Sequence, residues 1–311
     1  MNDHEAVATR GHRRSRHWRS VAHGIHCRTS ATDEFAAELA AWQLLLTRDG
    51  SFTGLTSAQV RDWWLPPLPA AVPVFVALRH DDPRPMREGV VASRHRRLIP
   101  HEESRGMRCA VPAETLLACA RVVGLLDLVV LADCALHRAE VGVDELLAVA
   151  RPRRPGARAL RRALELTDPR PESPWEVVQH VFHQVMGVET EPQHVLVHQG
   201  SEIARTDLWL VGTKSHHEYD GAVHLPPAQQ VKDLQRARRI DEAGQVRRGY
   251  TSGDLLHRPV GVLRDIDRAV GRQHDPARVR VWTEMLRTSL FTESGRAAFS
   301  ARWRRPITPA A

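Results

Sequence analysis

Lysine is almost missing from this chain: Lys214 and Lys232 are the only lysines among 44 basic residues, so the formal charge of +7 rests on arginine. Arginine meets phosphate and carboxylate with a planar bidentate fork that lysine lacks, and a basic excess suits a polyanionic partner such as DNA. A GC-rich genome gives the same bias without any function, so the charge alone does not decide. Cysteine is scarce too. Cys27, Cys109, Cys119 and Cys134 lie far apart and form no C-x-x-C pair, which argues against a zinc ribbon or a disulfide framework and points to a reducing cytoplasm. The most apolar stretch, Val122 to Ala132, is broken by Asp127 and is too short to cross a bilayer. No apolar segment follows Arg13-Arg14, so neither export nor a membrane partner is expected.

What is present is enough for two globular domains: 311 residues, 42% of them hydrophobic. Met1 to Thr29 is rich in Arg and His with no apolar period and reads as a disordered basic arm, residues 1–30. A mainly helical α+β domain is expected over 31–170. It begins with Phe35, Leu39, Trp42 and Leu45 at helical spacing and has an N-cap within Leu55-Thr56-Ser57-Ala58. Strands follow at Val74 to Leu78, Gly89 to Ser93 and Met107 to Ala110, then helices from Pro112, over Leu125 to Leu136, Asp144 to Ala150 and Arg158 to Leu166. Asp133 is expected to face water. Thr167-Asp168-Pro169-Arg170-Pro171 marks the main boundary, and Ser173 caps the next helix with Glu176 at the S-x-x-E spacing. Beyond it, 171–292 reads helix, three strands, helix, strand, helix, an α/β order, and 293–311 reads as a basic tail.

The richest segment is Arg205 to Gly221, R-T-D-L-W-L-V-G-T-K-S-H-H-E-Y-D-G. A two-residue type II′ turn at Gly212-Thr213 makes it a hairpin in which Leu210 faces Ser215, Asp207 faces Glu218 and Arg205 faces Asp220. Asp207, Glu218 and Asp220 then share one face, while Leu208, Leu210 and Tyr219 take the other. Opposed like charges destabilise a sheet unless a cation joins them. A divalent metal would do so; an Arg205–Asp220 pair would relieve part of the crowding without one. His216 and His217 alternate faces, so at most one stands with the carboxylates.

This order of acids, together with E-Y-D-G-A-V-H from Glu218 to His224, Asp233, Arg236 and R-R-G-Y-T from Arg247 to Thr251, resembles the restriction-endonuclease-like core. More narrowly, it resembles the actinobacterial branch of very-short-patch-repair-endonuclease-like proteins. There the domain follows a region similar to abortive-infection antitoxins, which F-T-G-L-T-S-A-Q from Phe52 to Gln59 matches loosely. The resemblance implies an α/β fold with a mixed sheet flanked by helices, and a metal-dependent DNA endonuclease. Asp207, Glu218 and Asp220 would hold Mg²⁺ or Mn²⁺, Glu176 would be the helix acid, and His224 would act on a proton or a phosphate oxygen. Asp220 stands where many nucleases keep a lysine, and Lys232 or Lys214 would have to replace it. Arg236, Arg238, Arg239, Arg247 and Arg248 would track the DNA backbone, although Asp233 and Arg236 also suit an i,i+3 pair. The alternative is a non-catalytic DNA-binding regulator, antitoxin-like, with a toxin or other protein partner for the N-terminal domain. Fold alone does not separate the two.

Overall fold

A computed structural model describes residues 7–11, 15–85, 87–151, 153–221 and 227–303, with the backbone alone over 227–233. The chain is a mixed α/β protein with three sheets and twelve α-helices among these residues. It divides into two compact units, Met1–Val122, Val141–Arg161 and Phe299–Ala311 forming one, Val123–Glu140 and Arg162–Ala298 the other. Thr167 to Pro171 lies inside the second unit. No helix among the described residues is long and apolar enough to cross a membrane.

In the first unit β1 (Ala8–Arg10), β2 (Trp18–Ala22) and β3 (Ile25–Arg28) form an antiparallel sheet in the order β1-β3-β2. This corrects the expectation of a disordered arm, apart from residues 1–6 and 12–14, which lie outside the described residues. Ile25 and Cys27 alternate inward and are fully buried, and α1 (Glu34–Gln43) packs its Leu39 and Trp42 into the same core. Two inward positions among Arg and His are too short a period to stand out in sequence. The next elements, β4 (Ser51–Phe52) and α2 (Gly54–Val60), show that the helix starts before the expected cap, at Thr53. Thr56 and Ser57 are spent on tertiary bonds instead: Thr56 Oγ1 accepts from Phe75 N–H at 2.8 Å, and Ser57 Oγ meets Thr115 Oγ1 at 2.9 Å.

Strands β5 (Val74–Arg79), β6 (Val90–His95), β7 (His101–Ser104) and β8 (Met107–Ala110) complete a mixed sheet with β4, in the order β6-β5-β4-β8-β7. Pro112 opens α3 (Pro112–Cys119), where its missing N–H costs nothing. Helix α4 (Leu125–His137) belongs to the second unit and is buried nearly all round. Asp133 therefore does not face water; it is fully buried and accepts from Asp168 N–H at 2.9 Å. Asp127 likewise binds Ser289 Oγ at 2.7 Å and Leu290 N–H, and burial pushes its carboxyl up to about 7. The first unit resumes with α5 (Val143–Ala150) and the start of α6 (Ala157–Leu164).

The second unit is built on α7 (Pro174–Val185), β9 (Thr190–His198), β10 (Ser201–Leu210), β11 (Ser215–Tyr219), α8 (Pro227–Glu242) and β12 (Val246–Tyr250), the element order read from sequence. The sheet runs β12-β11-β10-β9, antiparallel except where β12 lies parallel to β11, a pairing that requires the α8 crossover. Ser173 Oγ caps α7 by accepting from Glu176 N–H at 3.2 Å, and Val177, Val178, Val181 and Phe182 give that helix its buried face. Ile240 of α8 packs on Leu196 and Ala204. Helices α9 (Ser252–His257), α10 (Pro259–Ala269) and α11 (Val279–Leu286) follow, with Trp282 of α11 edge-on to Phe182 at 5.2 Å. The expected basic tail is instead helical as far as Trp303, in α12 (Glu293–Trp303), and Phe299 is buried. Residues 304–311 lie outside the described residues.

Candidate functional site

The hairpin register is the expected one where the two strands pair, Leu208 with His217 and Trp209 with His216. Its turn is not. Thr213 N–H bonds Leu210 C=O at 3.1 Å, which puts Gly212, at φ +76°, third in the turn Leu210–Thr213, and four residues link the strands instead of two. Neighbouring chain explains the wider loop: Val211 N–H is drawn to Glu189 C=O, and Lys214 C=O accepts from Val246 N–H. Leu208 and Leu210 face the core as expected, and Tyr219 stacks on Trp175 of α7 at 5.3 Å. His217 is buried with them, 2.7 Å from His183, whose imidazole is pushed down to about 4 by burial. His216 is buried against Thr206 and Gln245.

The carboxylates meet arginines. Glu218, 3% exposed, accepts from Arg236 Nη2 on one oxygen and from Arg247 Nε on the other, each at 2.5 Å. Arg247 also reaches Asp220 at 2.7 Å, so one guanidinium bridges two acids. Arg205 is not opposite Asp220 in any ion pair; it turns to Glu172 at 2.9 Å, and its carbonyl accepts from Arg236. The bridging arginine escapes a hairpin-only reading because it sits on β12, where the parallel ladder sets Arg247 beside His216 and Gly249 beside Glu218. Gly249 keeps the space for that bridge: a Cβ there would lie 1.5 Å from Asp220 Oδ2. Gly249→Ala should therefore expel the half-exposed Asp220 carboxylate while Arg247 stays on Glu218. The expected loss is below about 1 kcal/mol in urea titration, with the new rotamer visible in a crystal structure.

Asp207 is placed differently. Its Oδ2 accepts from Tyr219 N–H at 2.9 Å, just beyond the last paired residues of the hairpin. Burial, then the nearby Glu176 and Glu218, push its carboxyl up to about 6, against the hydrogen bond from Tyr219 and the charge of Arg236. Glu176 accepts from Glu172 N–H and from the Gln193 amide, both at 2.8 Å. Gln193, which the sequence reading missed, holds φ at +54°, a left-handed conformation uncommon for a residue with a side chain. It precedes His194, the ladder partner of Thr206. Helix α7, β10 and β11 thus bring Glu176, Asp207, Glu218 and the following Asp220 towards one end of the sheet, with Arg236 of α8 and Arg247 of β12 among them.

Of the basic positions, Arg236 and Arg247 are engaged with Glu218, and Arg248 lies 3.5 Å from Asp265. Arg238 and Arg239 on α8 are exposed, and no described carboxylate pairs with them. Lys214 is exposed at the hairpin loop. His224 lies outside the described residues, as do the side chains of Lys232 and Asp233. The second unit holds more carboxylates than basic side chains, so the chain's positive charge belongs to the first unit.

These residues, as placed, do not fit a Mg²⁺ or Mn²⁺ ion. Such an ion needs free carboxylate oxygens, whereas both oxygens of Glu218 carry guanidinium hydrogen bonds. Among the described residues no three His, Cys, Asp or Glu side chains are grouped to hold a metal. Comparison with protein-family models, curated proteins and solved structures returns no match to this chain, so the likeness to nucleases rests on the residues quoted above.

Proposed function

We propose that this chain is a non-catalytic nucleic-acid-binding protein whose second unit keeps a restriction-endonuclease-like arrangement as a scaffold. The observation that carries this reading is the double arginine hold on Glu218, extended by Arg247 to Asp220. Charge already balanced inside the protein is not open to a metal-bound water. Contact with a phosphate backbone falls to arginines without internal carboxylates, Arg238 and Arg239 in this unit and the basic surface of the first. Binding of this kind is electrostatic and is expected to weaken roughly tenfold or more between 50 and 200 mM salt for about three phosphate contacts. Fluorescence anisotropy with labelled duplex checks it; salt-insensitive binding would count against the proposal.

One observation favours a second reading, metal-dependent phosphodiester hydrolysis. Asp207 is a partly buried carboxylate in the field of two others, short of a cation of its own, and such perturbed acids gather at catalytic sites. Plasmid incubated with Mg²⁺ or Mn²⁺, beside Asp207→Ala and Glu218→Ala, separates the two. The expected result is intact plasmid throughout and equal DNA binding. Cleavage by the parent chain that vanishes in both variants would establish the hydrolase.

A further inference from the structure

A cavity of about 510 Å³ opens in the first unit between β6, the segment after it, α3 and the loop before α6. Its size falls within the roughly 300–1,000 Å³ of small-molecule sites. Five arginines line it, Arg94, Arg96, Arg97, Arg121 and Arg154, against one carboxylate, Glu114. Glu114 is buried and shared, 2.5 Å from both Arg97 and Arg154, so two guanidiniums divide a single negative charge. Arg94 donates to the His80 carbonyl, which carries no formal charge, and no described carboxylate pairs with Arg96 or Arg121. The site therefore has a surplus of guanidinium donors that the protein itself does not satisfy. Between them lie apolar walls from Ala77, Ile99 and Leu117.

We propose that this cavity binds a nucleoside phosphate, its phosphates held by Arg96, Arg121 and the outer edges of Arg97 and Arg154, its nucleoside against Ile99 and Leu117. Guanidinium forks match phosphate oxygens in pairs, and the apolar wall of Ile99 and Leu117 offers a base a surface to pack on. The local field agrees with an anion. His95, hydrogen-bonded to Ser93 Oγ at 2.9 Å, is held below its usual value by burial and then by Arg121, with Arg154 and Arg97 adding to it and Glu114 opposing. The same chemistry has two sources, a free nucleotide or the phosphorylated 5′ end of a strand. The inference does not depend on the nucleic-acid reading, because a free nucleotide would fill the cavity of a protein that never touches DNA.

The test uses the full chain at low salt. Calorimetric titration with ADP is expected to show one site, and adenosine none. Arg96→Ala combined with Arg121→Ala should weaken ADP by about tenfold or more, since each removes a charge-assisted contact. Both side chains are exposed and neither touches Glu114, so folding is spared. The His95 resonance should titrate at higher pH with ADP bound, because a phosphate opposes the arginines that face it. Competition by a 5′-phosphorylated oligonucleotide, but not by its 5′-hydroxyl counterpart, assigns the strand end; no competition by either assigns the free nucleotide. Absence of ADP binding together with no 5′-phosphate dependence overturns the proposal, as does ADP affinity unchanged in the double variant. Duplex lacking 5′ phosphates offers the cavity no terminal phosphate and reports backbone binding by itself, so either result stands without the other.

Discussion

Glu218→Gln is expected to destabilise the second unit by about 2–3 kcal/mol. Removing one partner of a buried ion pair typically costs about 3–5 kcal/mol, because the remaining charge is left without compensation. Here the value falls lower. The guanidiniums of Arg236 and Arg247 stay about a third exposed, at 29% and 32%, and Arg247 keeps Asp220. Glutamine preserves shape and one acceptor, so the loss reports the charge together with the second hydrogen bond. Hydrogen exchange of the β10 to β12 amides, which separates this unit from the other, is the appropriate measurement. A site built to be filled by a metal gives the opposite sign without its ion, since deleting one of several crowded carboxylates relieves repulsion.

Asp207→Asn is expected to stabilise the same unit by about 1–3 kcal/mol at pH 8 and by nothing measurable near pH 3. The ordinary aspartate value is 3.8 and the folded one about 6. A carboxyl raised in this way binds its proton more tightly folded than unfolded, so its contribution is fully present below 3.8 and is lost as pH rises through 6. Asparagine carries no such loss and still accepts the Tyr219 N–H. The two neighbouring acids thus differ in sign: Glu218 is neutralised and stabilising, Asp207 is underpaired and destabilising when ionised. A carboxylate retained at such a cost is the kind found at working surfaces, and it keeps the hydrolase reading testable.

Much of the fold was legible because its strands and helices are locally consistent. Met107–Ala110 coincides with its expected limits, and Pro112 and Ser173 mark helix starts through their backbone chemistry. The three-stranded sheet over residues 8–28 was not legible, since only Ile25 and Cys27 supply its buried face. At the site, counting outward from Gly212-Thr213 gave the pairs Leu208–His217 and Trp209–His216, although four residues and not two link the strands. It could not give their company. Arg247 follows Glu218 by 29 residues and reaches it through a parallel ladder and a helical crossover, a contact that carries no local period. The arginine cavity of the first unit was hidden for the same reason: Arg94, Arg96 and Arg97 lie close together in sequence, but Arg121 and Arg154 reach them only in the folded chain.

Glu218 and Asp220 serve arginines and not a divalent ion, and Mn²⁺ titration at pH 8, with free ion counted from its electron spin resonance signal, distinguishes the two. The signal of the full chain should follow that of buffer into the millimolar range, and Glu218→Gln should behave the same. One tightly held Mn²⁺ per chain, released by Glu218→Gln, would contradict the account.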